Sequence, residues 1–421
     1  MPPKSASPFW PDHPVPPEAF AGREKEIQRL LERGIVPAMH EHPGAVFIEA
    51  EYGLGKTSLA QYVQTAARTR YGVPGLYVSL GTAETPDELG RRILRALEEA
   101  SSVDQEGFGA RIADLLKDLL PDRIQLTFFG VSVDWHRLTS QDFAAVRDVQ
   151  GMGGVLRRLL GLKTKNGQRS WPAMLLVLDE INGIAKMLWF AQWLKGFIDF
   201  VAIHRIPVFL VVCGTPQRRT ELIHAYSSVG QVFDVLPLSP LDASQTRTVY
   251  ARALASADMT GDAEAIDLMV TWSAGYPRIV QIIGDAAYWR DKDGHVSRED
   301  VRLALDDAVM EVGRRFVDHQ IVDALHSKAY RGILAAMAGE AWQRGRLWGS
   351  PFYLRDLRAM MPDMPDYTVR RFISRLRALG AVVPDLEEGR GAFRFSHPMI
   401  EAYLSLMGQS LVTPPTVARR G

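Results

Sequence analysis

Residues 50–57 read Ala-Glu-Tyr-Gly-Leu-Gly-Lys-Thr and constrain the fold of this 421-residue chain more than any other segment. They match the phosphate-binding pattern G-x4-G-K-[ST], with Ala50 at the first glycine position. Gly53 and Gly55 let backbone N–H groups face a phosphate, and the N-terminus of the helix expected next favours negative charge. An apolar run, Ala45–Ile48, precedes the loop, and a helical pattern follows it, which is the context that such a loop requires.

The loop predicts a site for a nucleoside triphosphate, with ATP and Mg²⁺ as the expected ligands. Lys56 is expected to reach the β- and γ-phosphates, where it also serves catalysis, and the Thr57 hydroxyl is expected to bind Mg²⁺. A glycine-rich turn that happens to carry a lysine is the alternative. The other loop residues expected to contact the nucleotide are Glu51, Tyr52, Gly53, Leu54, Gly55 and Ser58.

An acidic pair ends the most apolar run of the chain. Asp179 and Glu180 follow Met174–Leu178 directly. An aspartate in this place holds Mg²⁺, and the adjacent glutamate orients or activates the attacking water. By itself, such a pair is more often part of a solvated loop. Combined with the phosphate-binding loop, it predicts that Thr57 and Asp179 bind the metal and that Glu180 is catalytic.

Two further positions are candidates for contact with the γ-phosphate. Thr215 follows the apolar run Val208–Gly214, and a simple turn is its alternative interpretation. Pro277 and Arg278 open a helix within an all-helical segment. A surface arginine after a helix-starting proline is the alternative there. The prediction is that Thr215 and Arg278 assist catalysis and that Pro277 and Arg278 line the nucleotide site.

Strand and helix patterns alternate over the first 240 residues, which predicts an α/β fold with a mainly parallel sheet covered on both faces. Residues 124–134 form an expected β-rich insertion with a glycine at its bend. The pattern is helical from 242 to 317. Beyond 319 it becomes helices with one strand pair and a closing helix.

These residues together resemble the AAA+ ATPases, in the branch of the origin-recognition-type initiators and the related archaeal and STAND-like ATPases. The loop and the acidic pair match Walker A and Walker B, residues 211–215 are similar to sensor 1, and residues 275–278 are similar to sensor 2. Residues 20–24 read Phe-Ala-Gly-Arg-Glu and look like the box that flanks the adenine, which implies nucleotide contacts for Phe20, Gly22 and Arg23.

The resemblance implies a five-stranded parallel sheet, a helical lid and a C-terminal winged helix. The expected domains are an extended proline-rich lead (1–17), a P-loop ATPase core (18–240), the lid (241–318), the winged-helix domain (319–410) and a flexible tail (411–421). Related ATPases often carry an arginine finger after sensor 1, but residues 225–232 contain no arginine. Either Arg218 or Arg219 supplies the finger, or the protein does not hydrolyse ATP as a ring.

The expected winged helix carries an arginine-rich third helix over residues 366–379. From Lys328 onward the chain has 14 Lys/Arg and 8 Asp/Glu, although the whole chain has zero net charge. In a DNA-binding winged helix this face enters the major groove. The alternative is that the domain docks onto protein while its arginines pair with neighbouring aspartates. The expected DNA contacts are Arg370, Arg371, Arg375 and, in the turn between the wing strands, Arg390.

Composition adds two expectations. The single cysteine, Cys213, excludes an intrachain disulfide and fits a reducing cytoplasm. No apolar stretch approaches the ~20 residues that span a bilayer, and residues 1–17 lack the apolar core of a signal peptide. The predicted function is an ATP-binding and ATP-hydrolysing switch that moves a DNA-binding winged helix, with self-assembly left open. A STAND-type switch whose winged helix binds protein is the alternative.

Overall fold

The structure is a computed structural model that describes residues 4, 6–103, 107–121, 123–127, 130–161, 171–322, 324–325, 327–339, 350–385, 388–389 and 391–407. The chain divides into two compact units. One unit is Pro16–Ser239, and the other combines Met1–Val15 with Pro240–Gly421. The N-terminal segment therefore belongs with the C-terminal half of the chain.

The first unit, Pro16–Ser239, is built on five parallel strands. They are β1 (Gly44–Glu49), β2 (Gly75–Ser79), β5 (Met174–Asp179), β6 (Val208–Gly214) and β7 (Asp234–Pro237), in the spatial order β2-β5-β6-β1-β7. A separate antiparallel hairpin, β3 (Ile124–Thr127) and β4 (Gly130–Val133), occupies the predicted β-rich insertion. The predicted five-stranded parallel sheet is confirmed.

Helices connect these strands. They are α1 (Glu24–Leu30), continued by a π-helical turn (Leu31–Ile35), α2 (Val36–Met39), α3 (Lys56–Tyr71), α4 (Pro86–Val103), α5 (Phe108–Leu119), α6 (Ser140–Arg147), α7 (Val149–Gly161), α8 (Leu188–Ile203) and α9 (Pro216–Ala225), which a 3-10 turn (Ser227–Gln231) follows. Every residue of β5 and β6 is buried, as expected for parallel strands covered on both faces.

From Pro240 onward, the second unit first forms helices. They are α10 (Ala243–Ser256), α11 (Ala263–Ser273), α12 (Pro277–Arg290) and α13 (Arg298–Val312), and a π-helical segment (Gly313–Val322) prolongs α13. A two-residue parallel pair, β8 (Thr260–Gly261) and β9 (His295–Val296), lies among them. The predicted boundary between lid and winged helix, at residues 318 and 319, falls inside the π-helical segment.

The C-terminal part contains helices and a small antiparallel sheet. The helices are α14 (Lys328–Ala338), α15 (Leu354–Met360), α16 (Asp366–Ala378) and α17 (Pro398–Met407), and the strands are β10 (Phe352–Tyr353), β11 (Val382–Pro384) and β12 (Ala392–Phe395), in the order β10-β12-β11. The apolar pattern predicts a first helix over residues 321–337, whereas the structure begins α14 at Lys328. Strand β10 was not predicted, because two residues give no periodicity.

The spacing of the apolar residues in α16 predicts a buried face made of Val369, Phe372, Ile373, Leu376 and Leu379. The first four are buried and Leu379 is half-buried, while the arginines point to solvent. Gly380 follows the helix with a φ of 70°, and its N–H donates to the carbonyl oxygen of Arg377 over 3.0 Å. This left-handed conformation favours glycine, so the predicted helix end at Gly380 agrees with the structure.

The N-terminal strap, defined here as residues 4 and 6–15, packs along the helices of its own unit. The Phe9 ring is 3% exposed and lies so close to Gly284 of α12 that a Cβ there would approach it to 2.3 Å. The Trp10 N–H donates to the side-chain oxygen of Gln281 over 2.9 Å. The amine of Lys4 forms an ion pair with Asp291 at 2.8 Å. The segment expected to be an extended lead is thus a packed part of the helical unit.

Among the residues that the structure describes, no helix has both the length and the apolar character needed to cross a membrane.

Candidate nucleotide-binding site

The predicted phosphate-binding loop joins β1 to α3. Gly53 and Gly55 have φ angles of 81° and 85°, in the left-handed region that glycine adopts without strain. Gly55 is the residue that caps α3, so no side chain occupies the N–H groups of the first helical turn. These N–H groups and the positive end of the helix dipole form a site suited to a phosphate.

Lys56 lies over this loop. Its Nζ atom donates hydrogen bonds to the carbonyl oxygens of Ala50, at 2.7 Å, and Glu51, at 3.0 Å. It also stands 5.4 Å from the ring centre of Tyr52, a side chain that is 54% exposed. Burial lowers the pKa of the Lys56 amine, while the nearby Asp179 opposes this shift. An anion close to the amine would stabilise its charged form.

Asp179 links three elements at the end of β5. Its carboxylate accepts hydrogen bonds from the Thr57 hydroxyl at 2.6 Å, from the Tyr77 hydroxyl at 2.7 Å and from the N–H of Glu180 at 2.7 Å. The side chain is buried, with 1% exposure. Burial raises the pKa of the Tyr77 hydroxyl, and the neighbouring carboxylate raises it further. The carboxylate is thereby fixed at the first turn of α3.

Thr57 and Asp179 provide the oxygen ligands that a nucleotide-bound Mg²⁺ requires. Magnesium at such sites takes one or two protein ligands and completes its shell with water and substrate phosphates. Among the described residues, no three His, Cys, Asp or Glu side chains are grouped to hold a metal without a nucleotide. The hydroxyl and carboxylate oxygens of Thr57 and Asp179, which meet in a hydrogen bond of 2.6 Å, fit the donor chemistry of the predicted metal.

Glu180 has a left-handed backbone conformation, and a hydrogen bond orients its side chain. Its φ is 57°, which is uncommon for a residue other than glycine, and such strain is concentrated at functional sites. Its carboxylate accepts a hydrogen bond from the Ser79 hydroxyl at 2.8 Å and is otherwise exposed. Ser79 lies opposite Asp179 in the parallel pairing of β2 with β5. Ser79 and Tyr77 were missed in the sequence, because only this register brings them to the acidic pair.

Thr215 caps helix α9. It is buried, with 6% exposure, and its hydroxyl oxygen accepts a long hydrogen bond, 3.4 Å, from the N–H of Arg218. Thr215 therefore has a structural role at the start of this helix. Contact between Thr215 and a γ-phosphate stays a prediction.

The two arginines considered as fingers form ion pairs within their own chain. Arg218 pairs with Glu221 at 2.7 Å, one turn further along α9. Arg219 pairs with Glu49 at the end of β1. To act on another subunit, either arginine would first have to leave this carboxylate.

Arg23 is buried and forms a hydrogen bond with the phosphate-binding loop. It is 4% exposed, has a φ of 66°, and donates to the carbonyl oxygens of Leu54, at 3.2 Å, and Ser239, at 2.6 Å. Burial lowers the pKa of its guanidinium, and an ion pair with Glu26 opposes that shift. Gly22 is also left-handed, with a φ of 80°. The structure thus shows a supporting role for Arg23.

Phe20 stacks on Tyr62 of α3, with ring centres 4.8 Å apart. Ser58 is buried in the first turn of the same helix. The adenine contacts expected for Phe20, Gly22 and Arg23 stay predictions.

Pro277 and Arg278 belong to the other compact unit. Pro277 starts α12, as predicted. Burial lowers the pKa of Arg278, the positive Arg315 lowers it further, and Asp12 of the N-terminal strap opposes the shift. Tyr276, just before α12, packs its ring 5.5 Å from that of the buried His397, whose pKa burial lowers to about 3. The approach of Arg278 to the nucleotide stays a prediction.

The predicted DNA-contacting arginines differ in their partners. Arg370 forms an ion pair with Asp366 at 2.9 Å, as the alternative interpretation expected. Arg371 lies 5.9 Å from the ring centre of Tyr367, and Arg375 is exposed one turn further along. Neither of these two has a carboxylate partner within the described ranges. Arg390 lies outside the described residues.

A solved structure shares the fold of this chain. No protein-family model matches the chain. Among solved structures, a Walker-type ATPase of Pyrococcus abyssi is similar over 92% of this chain and 96% of its own, with 14% identity and a TM-score of 0.54. The Orc1 protein of Aeropyrum pernix, solved in complex with DNA, covers 92% of this chain and 93% of its own at 21% identity, with a TM-score of 0.44. The sheet order and the first likeness confirm the predicted α/β P-loop fold with five parallel strands.

A curated relative matches only part of the chain. The CRISPR-associated nuclease/helicase Cas3 of Streptococcus thermophilus is 24% identical over 223 residues. The match covers 50% of this chain and 24% of that protein. The chain therefore spans about a quarter of the length of this relative.

Proposed function

We propose that the protein is an ATP-dependent switch that binds MgATP at the loop of residues 50–58. One observation carries the proposal, namely that the Thr57 hydroxyl and the Asp179 carboxylate lie 2.6 Å apart at the start of α3. Lys56 supplies a positive charge beside this pair, within a loop whose N–H groups suit phosphates. Bound Mg²⁺ would neutralise charge on the phosphates, while Thr57 and Asp179 hold it in place.

We further propose that the protein hydrolyses ATP to ADP and phosphate. Glu180 is the proposed general base, because it is exposed beside the metal-binding Asp179 and its carboxylate is oriented by Ser79. Thr215 and Arg278 are the proposed contacts to the γ-phosphate. If Arg278 binds the γ-phosphate, ATP favours one position of the helical unit, and a ligand shifts such an equilibrium only through this difference in affinity.

Replacing Lys56 with alanine is expected to weaken MgATP binding by about 10- to 100-fold, because a charge-assisted hydrogen bond contributes about 1.5–3 kcal/mol. The measurement is a titration with a fluorescent ATP analogue in the presence of Mg²⁺. Lys195→Ala is the matched control, since that lysine pairs with Asp199 on α8. Equal affinity for wild type and Lys56→Ala would contradict the proposed site.

We also propose that the C-terminal part is a winged helix that contacts DNA. The supporting observation is the exposed pair Arg371 and Arg375, four residues apart on one face of α16 and without carboxylate partners within the described ranges. Arg370 is a weaker candidate because Asp366 already neutralises it. The local excess of basic residues beyond Lys328 supports contact with a polyanion. Separately, we propose a cytoplasmic location, because a single cysteine fits a reducing compartment.

Salt dependence tests the DNA contact. Each phosphate contact contributes about 0.9 to the slope of log affinity against log salt, so the double variant Arg371→Ala/Arg375→Ala is expected to lower this slope by about 2. Binding is measured with ATP, with ADP and without nucleotide. Arg298→Ala/Arg302→Ala is the control, because these arginines are also four apart and exposed but are paired with glutamates. Absence of DNA binding in every nucleotide state would favour the alternative, a switch whose winged helix binds protein.

A further inference from the structure

A cavity separate from the nucleotide site lies beside α5 and α7 of the first unit. Its volume is about 420 Å³, within the range of small-molecule sites. Two leucines that line it, Leu115 and Leu159, are 4% and 1% exposed and give it an apolar wall. Its other lining residues are charged, namely Arg111, Asp114, Asp118, Arg157 and Arg158.

Two of the arginines rest on aromatic rings. The guanidinium carbon of Arg111 is 4.5 Å from the ring centre of Trp171, which in turn packs edge-on against Phe108 at 4.9 Å. The guanidinium of Arg157 is 5.3 Å from the ring centre of Phe200. Cation–π contacts of this kind limit side-chain motion, so an incoming anion would lose less entropy in ordering the arginines.

The carboxylates at the cavity already have cationic partners. Asp118 pairs with Arg158, and Asp114 pairs with Lys117 at 2.7 Å. Within the part of the chain that the structure describes, Arg111 and Arg157 have no carboxylate partner. These two guanidinium groups therefore leave the cavity with an excess of positive charge.

Arg111 also has an unsatisfied donor. Its Nη1 atom is buried and has no hydrogen-bond partner. Leaving a charged donor unsatisfied costs about 1–3 kcal/mol, so an acceptor that entered the cavity and reached this guanidinium would be favoured there. An anionic oxygen fits best, because guanidinium donors bind phosphate and carboxylate oxygens in a planar fork.

We propose that this cavity binds a phosphate-bearing small molecule. Arg111 and Arg157 bind the phosphate, and the apolar part of the lining, which rests on the buried Leu115 and Leu159, accommodates an apolar body attached to it. A tetrahedral phosphate offers enough oxygens to bond both guanidinium groups at once. The site is independent of the nucleotide site, because its residues come from α5 and α7 and none belongs to the loop of residues 50–58.

Phenyl phosphate is a suitable probe, with inorganic phosphate and benzoate as comparisons. The full chain carries Lys56→Ala, so that the phosphate-binding loop contributes little to the signal. Calorimetric titration is expected to show one saturable site for phenyl phosphate, with weaker binding of inorganic phosphate and of benzoate. Arg111→Gln and Arg157→Gln are each expected to weaken this binding by about 10-fold or more, the loss expected for one charge-assisted hydrogen bond.

Arg95→Gln is the matched control, since this arginine also stacks on an aromatic ring, 5.2 Å from the centre of Trp135, but does not line the cavity. Thermal melting of each variant verifies folding, and Arg111→Lys, which keeps the charge, is expected to retain part of the affinity. No saturable binding of phenyl phosphate, or binding unchanged in both glutamine variants, overturns the proposal. A preference of the same arginines for a single-stranded oligonucleotide over phenyl phosphate overturns it as well.

Discussion

Replacing Glu180 with glutamine is expected to leave MgATP binding intact and to slow ATP hydrolysis by about 10²- to 10⁴-fold, the usual contribution of a general base. The amide has nearly the same shape as the carboxylate and can still accept the hydrogen bond from Ser79. It cannot take a proton from the attacking water. The substitution therefore separates binding from chemistry, which the Lys56→Ala substitution does not do.

Hydrolysis is measured as phosphate release at saturating MgATP, and binding is measured separately with the fluorescent analogue. Glu32→Gln serves as the control, because Glu32 is exposed in the same unit and pairs only with Gln28 among the described residues. A Glu180→Gln protein that hydrolyses ATP as fast as wild type would remove Glu180 from the catalytic role. Loss of ATP binding in the same variant would instead assign Glu180 to the binding of the nucleotide.

Replacing Phe9 with alanine is expected to destabilise the helical unit by about 3–5 kcal/mol, the usual loss when a buried aromatic ring is removed. The ring fills a space against α12 that exists only because residue 284 is glycine, since a Cβ there would approach the ring to 2.3 Å. The substitution Gly284→Ala acts on the same contact from the side of the helix. It is expected to displace the strap, because the added methyl group would overlap with the Phe9 ring.

Hydrogen exchange at the amides of α12 is the appropriate measurement, because a chain with two units need not unfold in a single transition. Trp10→Ala is the control, since Trp10 is 40% exposed and its hydrogen bond to Gln281 comes from the backbone N–H. We expect the exchange of α12 to be much faster in Phe9→Ala than in Trp10→Ala. Similar rates in both variants would show that the strap contributes little to the stability of α12.

The phosphate-binding loop and the sheet could be predicted because their information is local. Each of the buried strands β5 and β6 is a short apolar run, and Asp179 is recognisable from its place at the end of one. Tyr77 and Ser79 were missed because nothing in β2 itself indicates which strand lies beside it. Their roles follow from the pairing of β2 with β5, a contact between residues about 100 positions apart, such as Tyr77 and Asp179.

The packing of the N-terminal strap could not be predicted, for the same physical reason. Its prolines correctly indicated a segment without regular secondary structure, but proline content does not reveal what an extended segment packs against. The partners of the strap are distant, and Trp10 and Gln281 are 271 positions apart. An isolated phenylalanine among prolines has no periodicity. Nothing in the sequence marks Gly284 as the residue that accommodates its ring.

The strap also determines which of the two compact units can complete its folding first during translation. Residues 6–15 are translated before the unit Pro16–Ser239, yet the surface that Phe9 and Asp12 contact is complete only after Gly284 and Arg315 have been made. Translation generally lets N-terminal domains fold first. Here the unit Pro16–Ser239 can fold while synthesis continues, whereas the unit that contains the strap cannot be completed until Arg315 has been made.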